Sequence, residues 1–323
     1  MKFIFTGAFF VFFWSLNSIS LTVLAASPPI TPALSLPNYI SSQPVGNLAA
    51  NFSVNGNGSA TLTVPIQVPP GTNGIAPNLS VSYDSHRGNG YLGMGWAVNG
   101  LSAITRCSAN YRIDGYKANV TYSARDRFCI DGRRLIAVSG AYGTDGSVYH
   151  TESETWSIFT AHGTCGAGPC SFTATDKDGN ALSFGGTSTA TGARILAAGR
   201  TDGSVRTWAI DSFTDLNGNK TLAEYSSDTT TGEYYPTRIA YTENTAAGLS
   251  ASRFVTFTYG ARPDMVYRYL GGSKVSVTKL LTSITTSVMI SSQAQNILTY
   301  SLSYSQSPTT KRSRLNQIEV CDG

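Results

Sequence analysis

The sequence predicts an all-β protein made of many short antiparallel strands and hairpins. Apolar and polar residues alternate over many short runs, which is the period-two pattern of strands with one buried face. Asn-Gly and Asp-Gly pairs recur between these runs, and such pairs are the strongest short-range signal for a hairpin. Only 13% of the 323 residues are charged, and no run has the apolar spacing of a capped amphipathic helix. We therefore expect the strands to form large curved sheets.

The first 26 residues have the pattern of a secretory signal peptide. Lys2 precedes the apolar run 3–14, and Ala25-Ala26 offers a small-residue cleavage site. The alternative is an uncleaved membrane anchor, but the polar residues between positions 15 and 20 interrupt the hydrophobic run. The sequence thus predicts a secreted protein without a stable membrane span after cleavage.

The remaining chain divides by composition into a linker and one large domain. Residues 27–45 are rich in Pro and Ser and carry little pattern, so we expect an extended linker. From residue 46 to residue 323 the strand pattern continues without a break in composition, which predicts a single β domain.

The stretch from residue 60 to residue 107 has the clearest local signals. Alternation predicts strands over 62–68 and 79–83, joined by a loop that begins at Pro69-Pro70-Gly71. Pro65 cannot donate to a ladder, so the first strand is predicted to be an edge or locally unpaired there. The glycine-rich segment 88–96, here called the glycine corner, ends in Trp96 and is predicted to pack onto a sheet. A further strand is predicted over 101–106.

Later strands follow the same rules. The predicted runs are 127–130, 133–138, 171–175, 205–210, 222–225, 238–241, 253–259, 266–270, 274–278, 281–290, 297–304 and 315–320. In each of them one face is expected to be apolar and buried and the other polar and exposed.

Export would permit disulfide bonds between the five cysteines. Cys165 and Cys170 flank a short glycine-rich loop and could pair, in which case Cys107 and Cys129 could pair across two strands. Cys321 would then be a free thiol or would bond to a partner outside the chain. The spacing alone does not settle the connectivity, and it does not match a zinc site.

Several classes of site have weak support in the sequence. The net charge of +4 is dispersed, which argues against nucleic-acid binding. The GxGxxG spelling at 88–93 is followed by residues that break helices, so a dinucleotide site is not expected. Asp176–Asn180 and Asp215–Asn219 resemble calcium loops but fit hairpin turns better. No cofactor, metal ligand or catalytic residue is predicted.

Two further patterns leave functional alternatives open. Glu152-Ser153-Glu154 spells the carboxylate pair of ADP-ribosyltransferases, but the strand motif that should precede it is missing. Trp96, Trp156 and Trp208, together with many tyrosines, could form a glycan-binding surface, although packing within the sheets is the more frequent use of such residues.

Several motifs, in order, resemble the SpvB family. They begin with 63–72, 77–83, 88–96 and 101–107, and continue with 126–135, 215–219, 235–242 and the Arg262-Pro263-Asp264 segment. The structural residues within this pattern are Pro65, Pro70, Gly71, Tyr83, Gly90, Gly93, Gly95, Trp96, Asp131 and Gly132. The match extends over most of the chain from Ala50 to Cys321.

The resemblance implies a non-enzymatic β module of a toxin-complex or virulence protein. In such proteins the module is similar to part of a hollow β shell that is completed by propeller and RHS-type repeats. It implies partners of that type and a toxic effector as cargo. The alternatives are a surface glycan-binding module, or the N-terminal part of an ADP-ribosylating toxin whose catalytic domain is absent from this sequence.

Overall fold

The computed structural model describes residues 48–186 and 192–323. Strands account for most of the regular structure in these ranges, and the sheets are large and antiparallel, so the predicted all-β fold is confirmed. The predicted signal peptide (1–26) and linker (27–45) lie outside the described residues. Within the described ranges no helix has the length and apolar character needed to cross a membrane.

The strands are numbered in chain order. The first thirteen are β1 (Asn51–Val54), β2 (Ala60–Ile66), β3 (Leu79–Asp84), β4 (Asn89–Gly90), β5 (Gly93–Met94), β6 (Trp96–Asn99), β7 (Ala103–Cys107), β8 (Arg127–Ile130), β9 (Arg133–Ser139), β10 (Val148–Thr151), β11 (Ile158–His162), β12 (Ser171–Thr175) and β13 (Ala181–Phe184). The others are β14 (Arg194–Leu196), β15 (Val205–Thr214), β16 (Lys220–Ser227), β17 (Tyr234–Glu243), β18 (Arg253–Leu270), β19 (Ser273–Ile290), β20 (Gln293–Gln306) and β21 (Ser313–Asp322). Short helical turns are α1 (Tyr111–Asp114) and the 3-10 turns Thr72–Gly74 and Thr245–Ala247.

Eight strands close into a barrel. Strands β7 to β13 follow one another in the sheet, and β15 pairs with both β7 and β13, which completes the ring. Aromatic side chains fill the interior: the Trp208 ring lies 5.2 Å from those of Phe128 and Phe172. The Trp208 indole N–H donates to the Pro169 carbonyl at 3.1 Å, so the ring is buried without an unpaired donor.

A buried ion pair lies against the aromatic core of the barrel. The Arg106 guanidinium donates to the Asp126 carboxylate at 2.9 Å, and both side chains have no exposed surface. Asp126 also accepts from the backbone N–H groups of Thr121 and Tyr122. Arg106 lies over the rings of Phe128 and Trp208, so the pair joins the aromatic core to the 120–126 loop.

Two disulfide bonds lie in the barrel half of the chain. Cys107–Cys129 links β7 to β8, with the Cα atoms 6.0 Å apart. Cys165–Cys170 closes the loop between β11 and β12, with the Cα atoms 4.9 Å apart. Cys321 is exposed and has no disulfide partner among the described residues.

The second core lies between two sheets. The sheet β1-β2-β3-β6 packs on the face formed by β15 to β21, and Val81, Tyr241 and Tyr300 are buried between them. Both tyrosines also bond to the 67–69 segment. The Tyr241 hydroxyl donates to the Pro69 carbonyl at 2.7 Å, and the Gln67 N–H donates to the Tyr300 hydroxyl at 2.8 Å.

The last four strands are longer than the sequence predicts. The runs 253–259 and 266–270 belong to one 18-residue strand, β18, and the runs 274–278 and 281–290 belong to β19, also of 18 residues. The residues between the runs stay in the ladder and do not form turns. Gly260 and Ala261 pair with Leu280 and Lys279, and a register shift follows between Ala261 and Val266. The hairpin from β19 to β20 turns at Ser291 and Ser292, both with positive φ, where no glycine signals a turn.

Candidate functional site

The glycine corner is a compact hairpin that contacts two distant parts of the chain. Strands β4 and β5 pair with each other, and Trp96 then begins β6, so the segment predicted as a glycine corner is a hairpin followed by a strand. A Cβ atom on Gly93 would lie 2.6 Å from the Ser313 carbonyl oxygen, and one on Gly95 would lie 2.4 Å from the Tyr83 ring. Both residues have φ near +80°, so only glycine fits without strain.

A group of four polar side chains, here called the Arg262 clamp, holds this corner against the final strand. Arg262 donates to the Gly90 carbonyl at 2.6 Å and to the Asp264 carboxylate at 3.0 Å. Asp264 also accepts from the Asn89 amide at 3.0 Å and from the Ser313 N–H at 2.7 Å. The clamp therefore joins the glycine corner, β18 and the start of β21 through one carboxylate.

The charges in the clamp are well matched. The Arg262 side chain has no exposed surface and that of Asp264 is 11% exposed. Burial by itself raises the pKa of the Asp264 carboxyl, but hydrogen bonds from Arg262 and Ser313 outweigh it and hold the pKa well below the usual range. The carboxylate is therefore charged at neutral pH and compensates the buried guanidinium.

Strand β21, which starts at the clamp, forms an open edge of the large sheet. It pairs with β20 along its length, and none of the described residues pairs with its other side. The edge strands β1, β6 and β14 have at most four residues, whereas β21 has ten. Within the described ranges, strand β18 is also unpaired on its β17 side beyond Thr256. Leu315, Ile318 and Val320 pack against the second core, so β21 is held in place and its free backbone groups can accept another strand.

The remaining signature residues shape the strands around this site. Pro65 lies in β2 opposite Ser80 of β3, beyond the end of β1, so it is locally unpaired on one side as predicted. Pro70 and Gly71 lie in the loop between β2, which ends at Ile66, and β3. Tyr83 and Trp96 are cross-strand neighbours with their rings 5.4 Å apart. Gly90 supplies the carbonyl that Arg262 binds.

Asp131 and Gly132 form the two-residue turn between β8 and β9. Both have positive φ, which is the conformation of a type I′ hairpin turn. The Asp131 carboxylate also accepts from the Ala103 N–H at 3.0 Å, which ties the turn to β7. Asp131 and Gly132 therefore form the β8–β9 turn and also align it with β7.

The two calcium-like segments are hairpin turns, as predicted. Asp176 accepts from the backbone N–H groups of Asp178 and Asn180 between β12 and β13. Asp215 accepts from the N–H groups of Asn217 and Asn219 between β15 and β16. In the described part of the chain no three His, Cys, Asp or Glu side chains come together as a metal site.

The three tryptophans considered for a glycan-binding surface have different environments. Trp208 is fully buried in the barrel and Trp96 is half-buried beside Tyr83, so these two do not form a surface. Trp156 is 73% exposed, with a left-handed backbone that is unusual for a bulky residue. The backbone N–H of Trp156 donates to the Glu154 carboxylate, which also bonds to His150 at 3.2 Å. Glu154 therefore belongs to an exposed turn.

Residues 54–162 match the SpvB family, which is described as the Salmonella virulence plasmid 65kDa B protein. The resemblance to the SpvB family is confirmed. The SpvB match contains the glycine corner, both cysteines of the Cys107–Cys129 bond and the Asp131-Gly132 turn. Arg262, Asp264 and Ser313 lie beyond it, although they bond to its residues. No curated protein sequence matches the chain.

Solved structures share the fold. The SpvB N-terminal domain from Salmonella typhimurium strain LT2 is 15% identical with a TM-score of 0.63, and the match covers 80% of this chain and 98% of that one. The TcdB2-TccC3 structure is 17% identical with a TM-score of 0.67, over 85% of this chain and 16% of that one. The Photorhabdus luminescens Tc holotoxin pore is 17% identical with a TM-score of 0.67, and the match covers 84% of this chain and 15% of that one. The chain thus spans about one sixth of the toxin-complex chains.

Proposed function

We propose that this chain is a non-enzymatic structural module of a secreted toxin-complex or virulence protein, and that it helps to enclose or deliver a toxic effector. The observation that supports this most is the shared fold with TcdB2-TccC3 over 85% of the chain. The open edge at β21 gives the module a means of assembly, because ten residues of rigid backbone can pair with a further strand. The proposed partners are subunits or domains of the propeller or RHS type.

The cavities support a structural role. One cavity of about 260 Å³ is lined mainly by apolar residues such as Ile75 and Phe213, and Asp211 is its single ionisable lining residue. Burial raises the pKa of the Asp211 carboxyl, which fits a packed interior position. An acid–base catalyst would need a second titratable group within reach of the substrate, and this cavity does not supply one.

A second, more polar depression contains Asp228, Glu233 and Lys279. Its carboxylates are already bound by groups of the fold. Asp228 accepts from the N–H groups of Thr230 and Thr231, and Glu233 accepts from the Tyr235 hydroxyl at 2.9 Å. We therefore assign these groups to holding the 228–235 segment in place.

The assembly role predicts that a change confined to the β21 edge weakens association. Asp322 is exposed, and its neighbour Gly323 donates its N–H to the Ile297 carbonyl of β20. By the alternation of an antiparallel ladder the Asp322 N–H therefore points to the open side, so proline there should leave the β20 ladder intact. We expect Asp322→Pro to weaken binding of a partner chain with RHS-type repeats by about tenfold, because it removes an N–H donor from the open edge and blocks strand pairing. Co-purification followed by titration calorimetry measures the effect.

Asp322→Ala is the matched control, since it removes the same side chain and keeps the N–H donor. It should bind like the unaltered chain, and circular dichroism should show that both variants are folded. If candidate partner chains bind the proline variant and the alanine variant equally, β21 is not the assembly edge. If no chain with such repeats binds the unaltered protein, the proposed function fails.

A glycan-binding surface is the second candidate, and it is favoured by the exposure of Trp156. An exposed indole next to a carboxylate can stack on a sugar ring and accept from its hydroxyl groups. On this hypothesis Trp156→Ala should reduce binding on a glycan array by about tenfold or more. Tyr111→Ala is the control, because Tyr111 is 76% exposed at a different place in the chain. Equal signals from both variants, or no bound glycan, would rule this candidate out.

A further inference from the structure

The cavity beside Asp211 has room for a small molecule. Its volume is about 260 Å³, and its lining comes from the 74–78 and 100–101 loops, residues 210–213 of β15, and Thr221, Ala223 and Ile239 of β16 and β17. Gly74 and Asn78 of this lining are exposed, whereas Ala223 and Ile239 are buried, so the cavity extends from the surface into the interior. A cavity of about 150 Å³ holds benzene, so this one can hold an aromatic ring with a short side chain.

A β-bulge places the single ionisable residue of this lining. The register of β13 with β15 shifts between Ser183 and Phe184, which leaves Asp211 without a register partner in β13. Bulges change the direction in which a side chain points, and they are frequent next to functional sites. The carboxyl group in this mainly apolar wall is therefore placed by a local departure from regular strand pairing.

The Asp211 carboxyl has little compensation for its burial. The residue is 5% exposed and accepts from the Gly186 N–H at 3.2 Å. Among the described residues no Lys, Arg or His forms an ion pair with it. Burial raises the pKa of this carboxyl, although the Ser183 hydroxyl, the Gly186 N–H and the charge of Lys220 act in the opposite direction. A carboxylate has about four acceptor positions, so a cation that enters the cavity finds free ones.

We propose that this cavity binds a small primary amine with an apolar body of about the size of an aromatic ring, and that its ammonium group binds the Asp211 carboxylate. The ammonium group supplies the counter-charge that the buried carboxylate lacks, and its N–H groups donate to the free acceptor positions. Apolar lining residues such as Ile75, Leu101 and Phe213 surround the body of the ligand. A neutral ligand of the same shape gains the apolar contacts alone.

The first test is a titration of the full chain with 2-phenylethylamine, followed by saturation-transfer-difference NMR in an amine-free buffer at neutral pH. We expect this amine to bind at least about tenfold more tightly than 2-phenylethanol, which has the same shape and no charge. No binding of the amine, or equal affinities for the amine and the alcohol, would overturn the proposal.

A crystal of the unaltered chain soaked in 2-phenylethylamine locates the site and does not depend on whether a variant folds. We expect the ring to lie in the cavity, with the ammonium nitrogen within hydrogen-bond distance of the Asp211 carboxylate. A cavity without the amine, or the amine bound at another place alone, would contradict the proposed site.

The role of the carboxylate is tested by Asp211→Asn, which keeps the size of the side chain and removes its charge. We expect it to weaken binding of 2-phenylethylamine by about tenfold or more. Asp178→Asn is the control for general attraction of a cation to the chain, because it removes a carboxylate that is 62% exposed in the β12–β13 turn. This control should bind the amine like the unaltered chain. Equal affinity of all three proteins for the amine would show that Asp211 does not bind it.

Discussion

Asp264→Asn is expected to lower the free energy of unfolding by about 3 kcal/mol, because it leaves the buried Arg262 guanidinium without a counter-charge. The variant keeps the shape of the side chain but replaces one acceptor oxygen by an amide group. Asp264 now accepts from Arg262, Asn89 and Ser313, and an amide N–H cannot accept from any of them. Denaturant unfolding followed by tryptophan fluorescence measures the loss.

The effect of Asp264→Asn should depend on pH in a defined direction. The folded-state pKa of Asp264 is below its unfolded value of about 3.9, so the carboxylate stabilises the fold above that pH. Its contribution is lost as the pH falls through the lower folded-state value. The difference in the free energy of unfolding between the variant and the unaltered chain should therefore be constant near neutral pH and become smaller below about pH 4.

Asp322→Asn is the control for this experiment, since it makes the same chemical change at an exposed position of β21. It should change the free energy of unfolding by less than about 0.5 kcal/mol. An unfolding midpoint for Asp264→Asn equal to that of this control would show that the clamp does not stabilise the fold.

Asp126→Asn is expected to lower the free energy of unfolding by about 3–5 kcal/mol, because neither side chain of the Arg106–Asp126 pair has exposed surface. Arg106 would remain among the barrel aromatics with a neutral amide in place of its counter-ion. Its Nε donor to the Val205 carbonyl at 2.6 Å would not compensate a full charge. The same fluorescence assay applies, since Trp208 lies in that core.

The double variant Arg106→Met with Asp126→Asn separates the ion pair from general packing damage. Removing the cation as well should recover part of the lost stability. The double variant should therefore lower the free energy of unfolding by about 1–3 kcal/mol less than the sum of the two single decreases. Strict additivity of the two single effects would show that the pair contributes no coupling energy.

Local features of the fold could be predicted from the sequence because their causes are local. Asp-Gly and Asn-Gly turns such as Asp131-Gly132 depend on the backbone freedom of two residues. The glycine corner could be distinguished from a nucleotide loop because the residues after Gly93 cannot continue a helix. The same reasoning missed the Ser291-Ser292 turn, since serine does not signal positive φ.

Long-range features could not be predicted in this way. Periodicity does not show that β13 pairs with β15 and closes the barrel, or that Ser313 meets Asn89 through Asp264. A half-buried strand would leave one face of β15 exposed, yet Arg206 and Thr207, which lie on opposite faces, are 3% and 5% exposed. The reason is that β15 is covered on both faces by parts of the chain that are distant in sequence.

Because β15 belongs to both the barrel and the β15–β21 sheet, the two hydrophobic cores cannot melt separately. Its first half pairs with β7 and its second half with β16, and Trp208 and Ala209, adjacent in sequence, enter different cores. Unfolding of either core would break hydrogen bonds of β15, which is also part of the other core. The domain should therefore behave as one cooperative thermodynamic unit, with a single calorimetric transition despite having two interiors.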